Sequence, residues 1–199
     1  MNKDSIAYTV IFIAIVCFLF VGVLALVQAS TAERVAQYRE NSRKAAVLDS
    51  LQIAYTDFAD AARLYDSSIV PVQGQDAYTA EIDGRLYIAV QQSGAGLWGT
   101  ITIILAALPD GSEIRGMQII AQNETPGLGG RIEEAAFKNQ LNGRKTINGR
   151  LAIIAGAEAS SETQSTIDGI TGATRTSKAM EVIINLALQK IRTVAGALQ

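Results

Sequence analysis

The stretch TITIILAALPDGSEIRGMQIIA, residues 100–121, decides the fold that the sequence predicts. Two β-prone runs, TITIILAAL and EIRGMQIIA, flank PDGS at residues 109–112, where Pro, Asp and Gly favour a tight turn. Upstream, YTAEIDGRLYIAVQ places the pair Asp83-Gly84 between two further short runs, a strong hairpin signal. The sequence therefore predicts two antiparallel hairpins.

Helical periodicity replaces this pattern towards the end of the chain. EEAAFKNQLNG predicts a helix that ends at Gly143, and LAIIAGA, residues 151–157, predicts another strand. From Ser177 to about Val194 the spacing predicts an amphipathic helix. Its apolar face consists of Ile183, Ile184, Ala187, Leu188, Ile191 and Val194. The mixture predicts an α+β fold, an antiparallel sheet packed by helices.

The N-terminal region has a different character. Residues 6–27, IAYTVIFIAIVCFLFVGVLALV, carry no charge, and a helix of this length crosses a hydrocarbon layer of about 30 Å. A cleaved signal peptide is the alternative, because VQA at residues 27–29 resembles a cleavage site. Its apolar core would, however, be limited to about 7–15 residues. The sequence therefore favours one uncleaved transmembrane helix.

Three segments follow from these patterns. Residues 1–30 are the predicted transmembrane anchor, residues 31–75 a helical juxtamembrane region with a connection, and residues 76–199 the domain that contains the sheet. The juxtamembrane region lacks Pro and Gly as far as Leu64 and predicts one or two helices. Its candidate apolar contacts are Val35, Tyr38, Val47, Leu48 and Leu51.

Composition excludes several kinds of chemistry. Lys+Arg number 17 and Asp+Glu 19, so no basic field exists to attract nucleic acid. The chain has no histidine, which removes the usual catalytic triads and most transition-metal sites. Cys17 is the only cysteine and lies inside the apolar run, where a small buried residue is expected and not a reactive thiol. We predict no catalytic or metal-binding set, so redox chemistry would require a bound cofactor.

Two glycine-rich stretches are candidate binding loops. GAGLWG, residues 94–99, matches the dinucleotide fingerprint GxGxxG, but a strand follows it instead of the helix that such a site needs. We interpret it as a turn with Trp98 as an anchoring core aromatic. NETPGLGGR, residues 123–131, has a tight path on which backbone N–H groups can face outward. It is either an ordinary loop or a site for a planar ligand with polar edges.

A third stretch, DGITGATRTSKAM at residues 168–180, places four hydroxyl residues before the last helix. The plain interpretation is a helix start capped by one of these side chains. The alternative is a bound anionic group, because the free N–H donors and the dipole of a helix N-terminus stabilise a phosphate.

DGITGAT, residues 168–174, resembles the attachment motif of the covalent-FMN-binding domain family, and GLWG and ETPGLGG precede it in the order of that family. The chain resembles the C subunit of the sodium-pumping NADH:quinone reductase (Nqr) and the G subunit of the Rnf ferredoxin:NAD complex, which share its single N-terminal helix. GLWG and GGRIE favour the Nqr protein and the length of the chain favours the Rnf protein, so both stay open.

The resemblance implies a cofactor and its site. FMN would be bound through a phosphoester to Thr174, and a separate flavin transferase would install it from FAD. The surrounding recognition motif would comprise Asp168, Thr171, Gly172 and Ala173, and the phosphate donors Thr176, Ser177 and Lys178. The residues bordering the isoalloxazine ring would be Glu124, Thr125, Gly127, Leu128 and Gly129.

The resemblance also implies a function and a location. The chain would relay electrons through FMN, beside other membrane subunits of an ion-translocating Nqr- or Rnf-type complex, without a soluble substrate of its own. Alternatives are a free-standing flavinylated carrier for an extracytoplasmic reductase and a flavin-free anchor or assembly protein. Four basic residues after the span, against Lys3 before it, favour a cytoplasmic domain. The resemblance instead implies a single-pass inner-membrane protein with a periplasmic domain, because the transferase acts on exported proteins.

Overall fold

The computed structural model describes residues 6–154 and 165–198 and divides the chain into two compact units, residues 1–40 and 41–199. Helix α1, Ile6–Ser50, is continuous over 45 residues. Its first part is long and apolar enough to cross a membrane, and the large apolar side chains there are exposed. The helix therefore fits a single-pass membrane anchor. Lys3 lies outside the described residues.

The second unit is built on a sheet of five antiparallel strands in chain order. They are β1 (Val70–Pro71), β2 (Ala77–Ile82), β3 (Arg85–Ala95), β4 (Thr100–Ala107) and β5 (Ile114–Ala121). Asp83 and Gly84 have φ of 52° and 73° and form a two-residue turn, across which Ile82 pairs with Arg85. Strands β4 and β5 pair across the second predicted turn. Both predicted hairpins are confirmed.

One face of the sheet packs against helix α4, Thr174–Ala197. Side chains alternate along each strand, so Ile88 and Val90 of β3 and Ile103 of β4 all point to this helix side. The six predicted apolar positions of the helix are all fully or almost fully buried. The amphipathic helix and the α+β fold are therefore confirmed.

The opposite face of the sheet packs against the end of α1 and against helix α2, Phe58–Ser68. Val47, Leu48 and Leu51 are fully buried there, as predicted, whereas Val35 and Tyr38 are exposed. Those two precede the compact unit, which begins at Asn41. Residues 41–75 thus belong to the same unit as the sheet, and the division at residue 76 stays a proposal.

The predicted helix EEAAFKNQLNG is wrong as a single element. The chain instead forms a 3-10 turn η1 (Gly129–Glu133), a short helix α3 (Ala135–Lys138) and a second 3-10 turn η2 (Asn139–Leu141). Ile132 and Phe137 are both buried, and five residues of helix would set them about 140° apart. The extended backbone at Glu134 interrupts the helix, so that Phe137 is buried as Ile132 is. Gly143 ends the segment with φ of 68°.

A second sheet, of two strands, precedes α4 in the chain. Strand β6, Ala152–Ile154, pairs in parallel with β7, Thr166–Asp168. The sequence predicted β6 but not β7, because three residues are too few to show a period. Residues 155–157 of the predicted strand lie outside the described residues. Strand β7 ends at Asp168 and α4 begins at Thr174, so DGITGAT connects these two elements.

Candidate functional site

The start of α4 has no side-chain cap. Ala173 occupies the N-cap position with φ of −127° and ψ of 48°, and the first turn contains no acidic residue. Gly172, with φ of 80°, turns the chain into the helix. The plain interpretation of a side-chain-capped start is therefore wrong. The first-turn N–H groups and the positive end of the helix dipole are available to an anion.

The four hydroxyl groups of this segment divide into two pairs. Thr171 and Thr174 are exposed, whereas Thr176 and Ser177 are only 1% and 3% exposed. Thr174 and Thr176 are two residues apart on a helix, about 200° of rotation, so they point to opposite sides. The Ser177 hydroxyl accepts from the Ile170 N–H at 2.9 Å and donates to the Ala173 carbonyl at 3.0 Å.

Two of the three expected phosphate donors, Thr176 and Ser177, belong to the buried pair. The hydroxyl protons of Thr176 and Ser177 are used in bonds to buried acceptors of the protein itself. Lys178 is exposed and lies four residues after Thr174, which places both on the same side of the helix. Arg175, which sequence analysis did not single out, is exposed in the same turn, and its position directly after DGITGAT was the available signal.

Glu124 joins the three motif segments through one buried carboxylate. Its residue is 5% exposed. The Thr176 hydroxyl donates to Glu124 Oε2 at 2.6 Å, and the N–H groups of Leu97 and Trp98 donate to Oε1 at 2.8 and 3.1 Å. The turn at residues 96–99 and α4 therefore meet at this side chain. We name this arrangement, the Glu124 carboxylate with its donors Leu97, Trp98 and Thr176, the Glu124 clamp.

The clamp keeps its carboxylate ionised. Burial alone would raise the pKa of Glu124, but the hydrogen bonds from Thr176, Trp98 and Leu97 outweigh it and hold the pKa below the ordinary value of 4.5. Three donors thus compensate one buried negative charge. At neutral pH the carboxylate accepts all three hydrogen bonds at once.

Two glycines leave room for the clamp. A Cβ at Gly96 would lie 2.5 Å from Glu124 Oε1, and one at Gly129 would lie 2.6 Å from Thr176 Oγ1. Both glycines are therefore required by close packing. Gly127 differs, since its φ of 75° needs glycine although nothing lies within 4 Å of the missing Cβ. Glu124 and Gly129, both expected to border a ligand, are thus buried on the inner side of the loop. Thr125, Gly127 and Leu128 are exposed.

Apolar side chains surround the clamp on its outer side. Leu97 and Leu128 are partly exposed, and Trp98 is 69% exposed, so the prediction of Trp98 as a core anchor is wrong. Its backbone N–H is bound to Glu124, and the four-residue turn then directs the indole outward. A Cβ at Gly172 would lie 3.4 Å from Leu128 Cδ2, which places the 123–129 loop beside the start of α4.

Asp168 presents an unused acceptor beside Thr171. Its Oδ1 atom is buried and accepts no hydrogen bond from the described residues. Its backbone is held by the Gln140 side chain, which accepts from the Asp168 N–H at 2.7 Å and donates to the carbonyl at 3.2 Å. Asp168, Gln140, Thr171 and Arg131 line a cavity of about 130 Å³. Sequence analysis missed Gln140, because nothing in its local pattern distinguishes it, and included Arg131 only as the last residue of the NETPGLGGR loop.

Comparison with known proteins finds a family that matches the region of this site. Residues 96–189 match the FMN-binding domain family. The chain is 31% identical over 141 residues to the C subunit of the Na(+)-translocating NADH-quinone reductase of Neisseria meningitidis, an alignment that covers 66% of this chain and 55% of that protein. It is 32% identical over 127 residues to the G subunit of the proton-translocating ferredoxin:NAD(+) oxidoreductase complex of Clostridium ljungdahlii, covering 63% and 65%. The chain thus spans about half to two thirds of these relatives.

Solved structures show the same fold. The crystal structure of the C subunit of the Na(+)-translocating NADH-quinone reductase from Parabacteroides distasonis matches with a TM-score of 0.67 at 25% identity, over 80% of this chain and 96% of that one. NqrC of Shewanella oneidensis matches with a TM-score of 0.69 over 81% and 99%. At 16% identity the second likeness concerns the fold alone.

Proposed function

We propose that this chain is a covalently flavinylated electron-transfer subunit of an ion-translocating complex of the Nqr or Rnf type, because residues 96–189 match the FMN-binding domain family. It would relay electrons between redox centres of neighbouring membrane subunits. The observation that carries the proposal is the exposed hydroxyl of Thr174 at the uncapped start of α4, within DGITGAT.

Thr174 is the proposed attachment residue. Its Oγ1 would form an ester bond to the phosphorus of FMN, with FAD as the donor and a separate flavin transferase as the catalyst. The pyrophosphate bond of FAD breaks, AMP leaves, and the Thr174 hydroxyl releases its proton. The phosphate would then lie beside the N–H groups of the first turn, with Arg175 and Lys178 available to balance its charge.

The surroundings suit the rest of the cofactor. Leu128 and Trp98 offer exposed apolar surface for an aromatic ring, and Gly127 leaves the rim of the loop open. The free Oδ1 of Asp168 beside Thr171 suits a hydroxyl donor such as those of a ribityl chain. Bound FMN supplies the electron transfer that a chain without histidine, and with a single cysteine, cannot perform.

Intact mass spectrometry tests the proposal directly. The chain co-expressed with a flavin transferase should gain the mass of one FMN less one water, and the chain from a host that lacks the enzyme should stay unmodified. An unmodified chain in the presence of an active transferase would contradict flavinylation. Copurification with multi-span membrane subunits distinguishes a complex subunit from a free-standing carrier, and a colourless protein would support a flavin-free anchor.

We also propose that α1 anchors the chain in the inner membrane with the FMN-binding domain on the periplasmic side. Gln73 is exposed in the folded unit and suits a reporter cysteine, whereas Arg43 binds the Tyr78 hydroxyl and does not. In a Cys17→Ser background, Gln73→Cys should react with a membrane-impermeant maleimide in spheroplasts. Reaction only after membrane rupture would place the domain in the cytoplasm.

A further inference from the structure

One buried side chain links all three glycine and hydroxyl motifs of the chain. Glu124 lies in the 123–129 loop, its donors Leu97 and Trp98 lie in the turn between β3 and β4, and its donor Thr176 lies in α4. Hydrogen bonds to a charged acceptor are the stronger kind, and this acceptor is shielded from water. Gly96 and Gly129 leave the space that the carboxylate occupies.

Besides Thr176, the inner side of the α4 start is held by Ser177 and by the buried N-cap residue Ala173. Ala173 contributes no side-chain cap. Ala173 is buried in the core, and within the helix itself the buried apolar positions begin at Met180, one turn later. Within the first turn, Thr176 is bound to Glu124 and Ser177 to the Ile170–Ala173 segment. The Thr176–Glu124 bond is therefore the hydrogen bond that ties this turn to the 123–129 loop and, through Glu124, to the turn at residues 96–99.

We infer that Glu124 is a positioning residue: by holding Thr176 inward it sets the rotation of the first turn of α4, so that Thr174 is the only hydroxyl of that turn that faces outward. This inference rests on the proposed flavinylation of Thr174. It gives Glu124 a supporting role within the 123–129 loop. It also explains how a modifying enzyme selects Thr174 and not Thr176 or Ser177. Within the first turn of α4 this selection follows from exposure, since Thr176 and Ser177 are hydrogen-bonded and buried.

A matched pair of variants tests the inference. Thr176→Val keeps the shape of the side chain but removes the donor, and Thr176→Ser keeps a donor. The unmodified protein is measured first, by hydrogen exchange of the Ser177, Leu97 and Trp98 amides, which the structure shows bonded. Thr176→Val should speed exchange at Ser177 by about tenfold or more, and Thr176→Ser should restore wild-type exchange. The Ile88 amide at the centre of the sheet serves as the internal control for global folding.

The flavinylated protein is measured second, after co-expression with the transferase. Thr176→Val should lower the fraction labelled at Thr174 several-fold or spread the label to Thr171, and Thr176→Ser should label as wild type does. If Thr176→Val fails to fold, Glu124→Gln replaces it, since an amide can serve the Leu97 and Trp98 donors while weakening the bond to Thr176.

The outcomes separate the two claims. Wild-type exchange at Ser177 together with wild-type labelling in Thr176→Val would overturn the positioning role, and so would failure of Thr176→Ser to restore both. Absence of label from the wild-type chain as well would refute the proposed function instead. In that case the exchange measurements still decide whether Glu124 sets the first turn.

Discussion

Helices α2 and α4 of the same compact unit begin in opposite ways. At α2, Asp57 accepts the Asp60 N–H at 2.8 Å, and the Asp60 carboxylate accepts the Thr56 N–H at 3.1 Å. Local carboxylates thus satisfy this start and make it negative. At α4 the N-cap is Ala173, and the first turn is free of acidic residues. A start closed by its own carboxylates disfavours an anion, whereas the start of α4 favours one.

The acidic group that serves α4 comes from elsewhere in the chain. Glu124 is 52 residues from its partner Thr176 and approaches the first turn from the buried side. The residues on the outer side of the helix start, Thr174, Arg175 and Lys178, include no acidic side chain. A helix start can therefore be anchored by a carboxylate and still accept an anion, provided that the two lie on opposite sides of the helix.

The largest expected effect comes from the attachment residue itself. Thr174→Ala should abolish flavin fluorescence of the denatured protein on a gel while the fold stays intact, because the ester has no other exposed hydroxyl in that turn. Thr171→Ala, exposed but outside the helix, is the matched control and should at most reduce labelling. Peptide mapping that finds the label on Thr171 or Thr176 in the wild-type chain would show that the site is wrongly assigned.

The next effect concerns the glycines of the loop. Gly129→Val would push a side chain into Glu124 and Thr176 and should destabilise the fold by about 1–3 kcal/mol or more, as overpacking does. Gly127→Val should cost less, through backbone strain alone, because nothing lies near its Cβ. Both should alter the flavin absorption bands while the ester survives.

Gly74→Val is the control for this series, since Gly74 has φ of 72° with nothing within 4 Å and lies in the β1–β2 connection. It should lower the melting temperature about as much as Gly127→Val and leave the flavin bands unchanged. Parent spectra in both loop variants would mean that the loop is only structural.

A smaller effect should appear in acid. The folded state lowers the pKa of Glu124 below its unfolded value near 4.5, so its stabilisation is complete above about pH 4.5. It is lost as the pH falls through the lower folded pKa. Denaturant unfolding between pH 3 and 6 should show a steeper loss of stability in wild type than in Glu124→Gln. Equal pH slopes in the two proteins would contradict an ionised clamp.

The smallest effect is expected at the other helix start. Asp57→Ala removes the cap of α2 and should cost about 1 kcal/mol of stability, with no change in flavin labelling. Thermal unfolding and gel fluorescence measure the two quantities on the same samples. A loss of labelling in this variant would show that the two helix starts are not independent.

Much of the architecture could be predicted from local patterns. Asp83-Gly84 adopts the positive φ angles that a two-residue hairpin needs, and the apolar spacing after Ser177 identified the buried face of α4. The uncharged run at residues 6–27 identified an apolar helix. Each of these signals acts between residues that are close in sequence, and for that reason they could be interpreted without coordinates.

The inner and outer sides of the candidate site could not be predicted in this way. Trp98 was expected inside and is exposed, whereas Thr176 and Ser177 were expected beside a phosphate and are buried. The direction of the Thr176 side chain is set by its bond to the distant Glu124, and that of Trp98 by the tight turn at residues 96–99. A motif records that a residue is needed, but it does not record which way its side chain faces.

The sequence by itself determined the anchor helix, the hairpins, the amphipathic helix and the motif that contains Thr174, because periodicity and turn chemistry are local properties of the chain. Only the tertiary structure decided that α4 starts without a side-chain cap and that Glu124 meets Leu97, Trp98 and Thr176 at one buried point. The physical reason is that burial and hydrogen-bond satisfaction depend on which segments meet in space. Packing α4 against the sheet brings Leu97 and Thr176, which are 79 positions apart in the chain, to the same carboxylate.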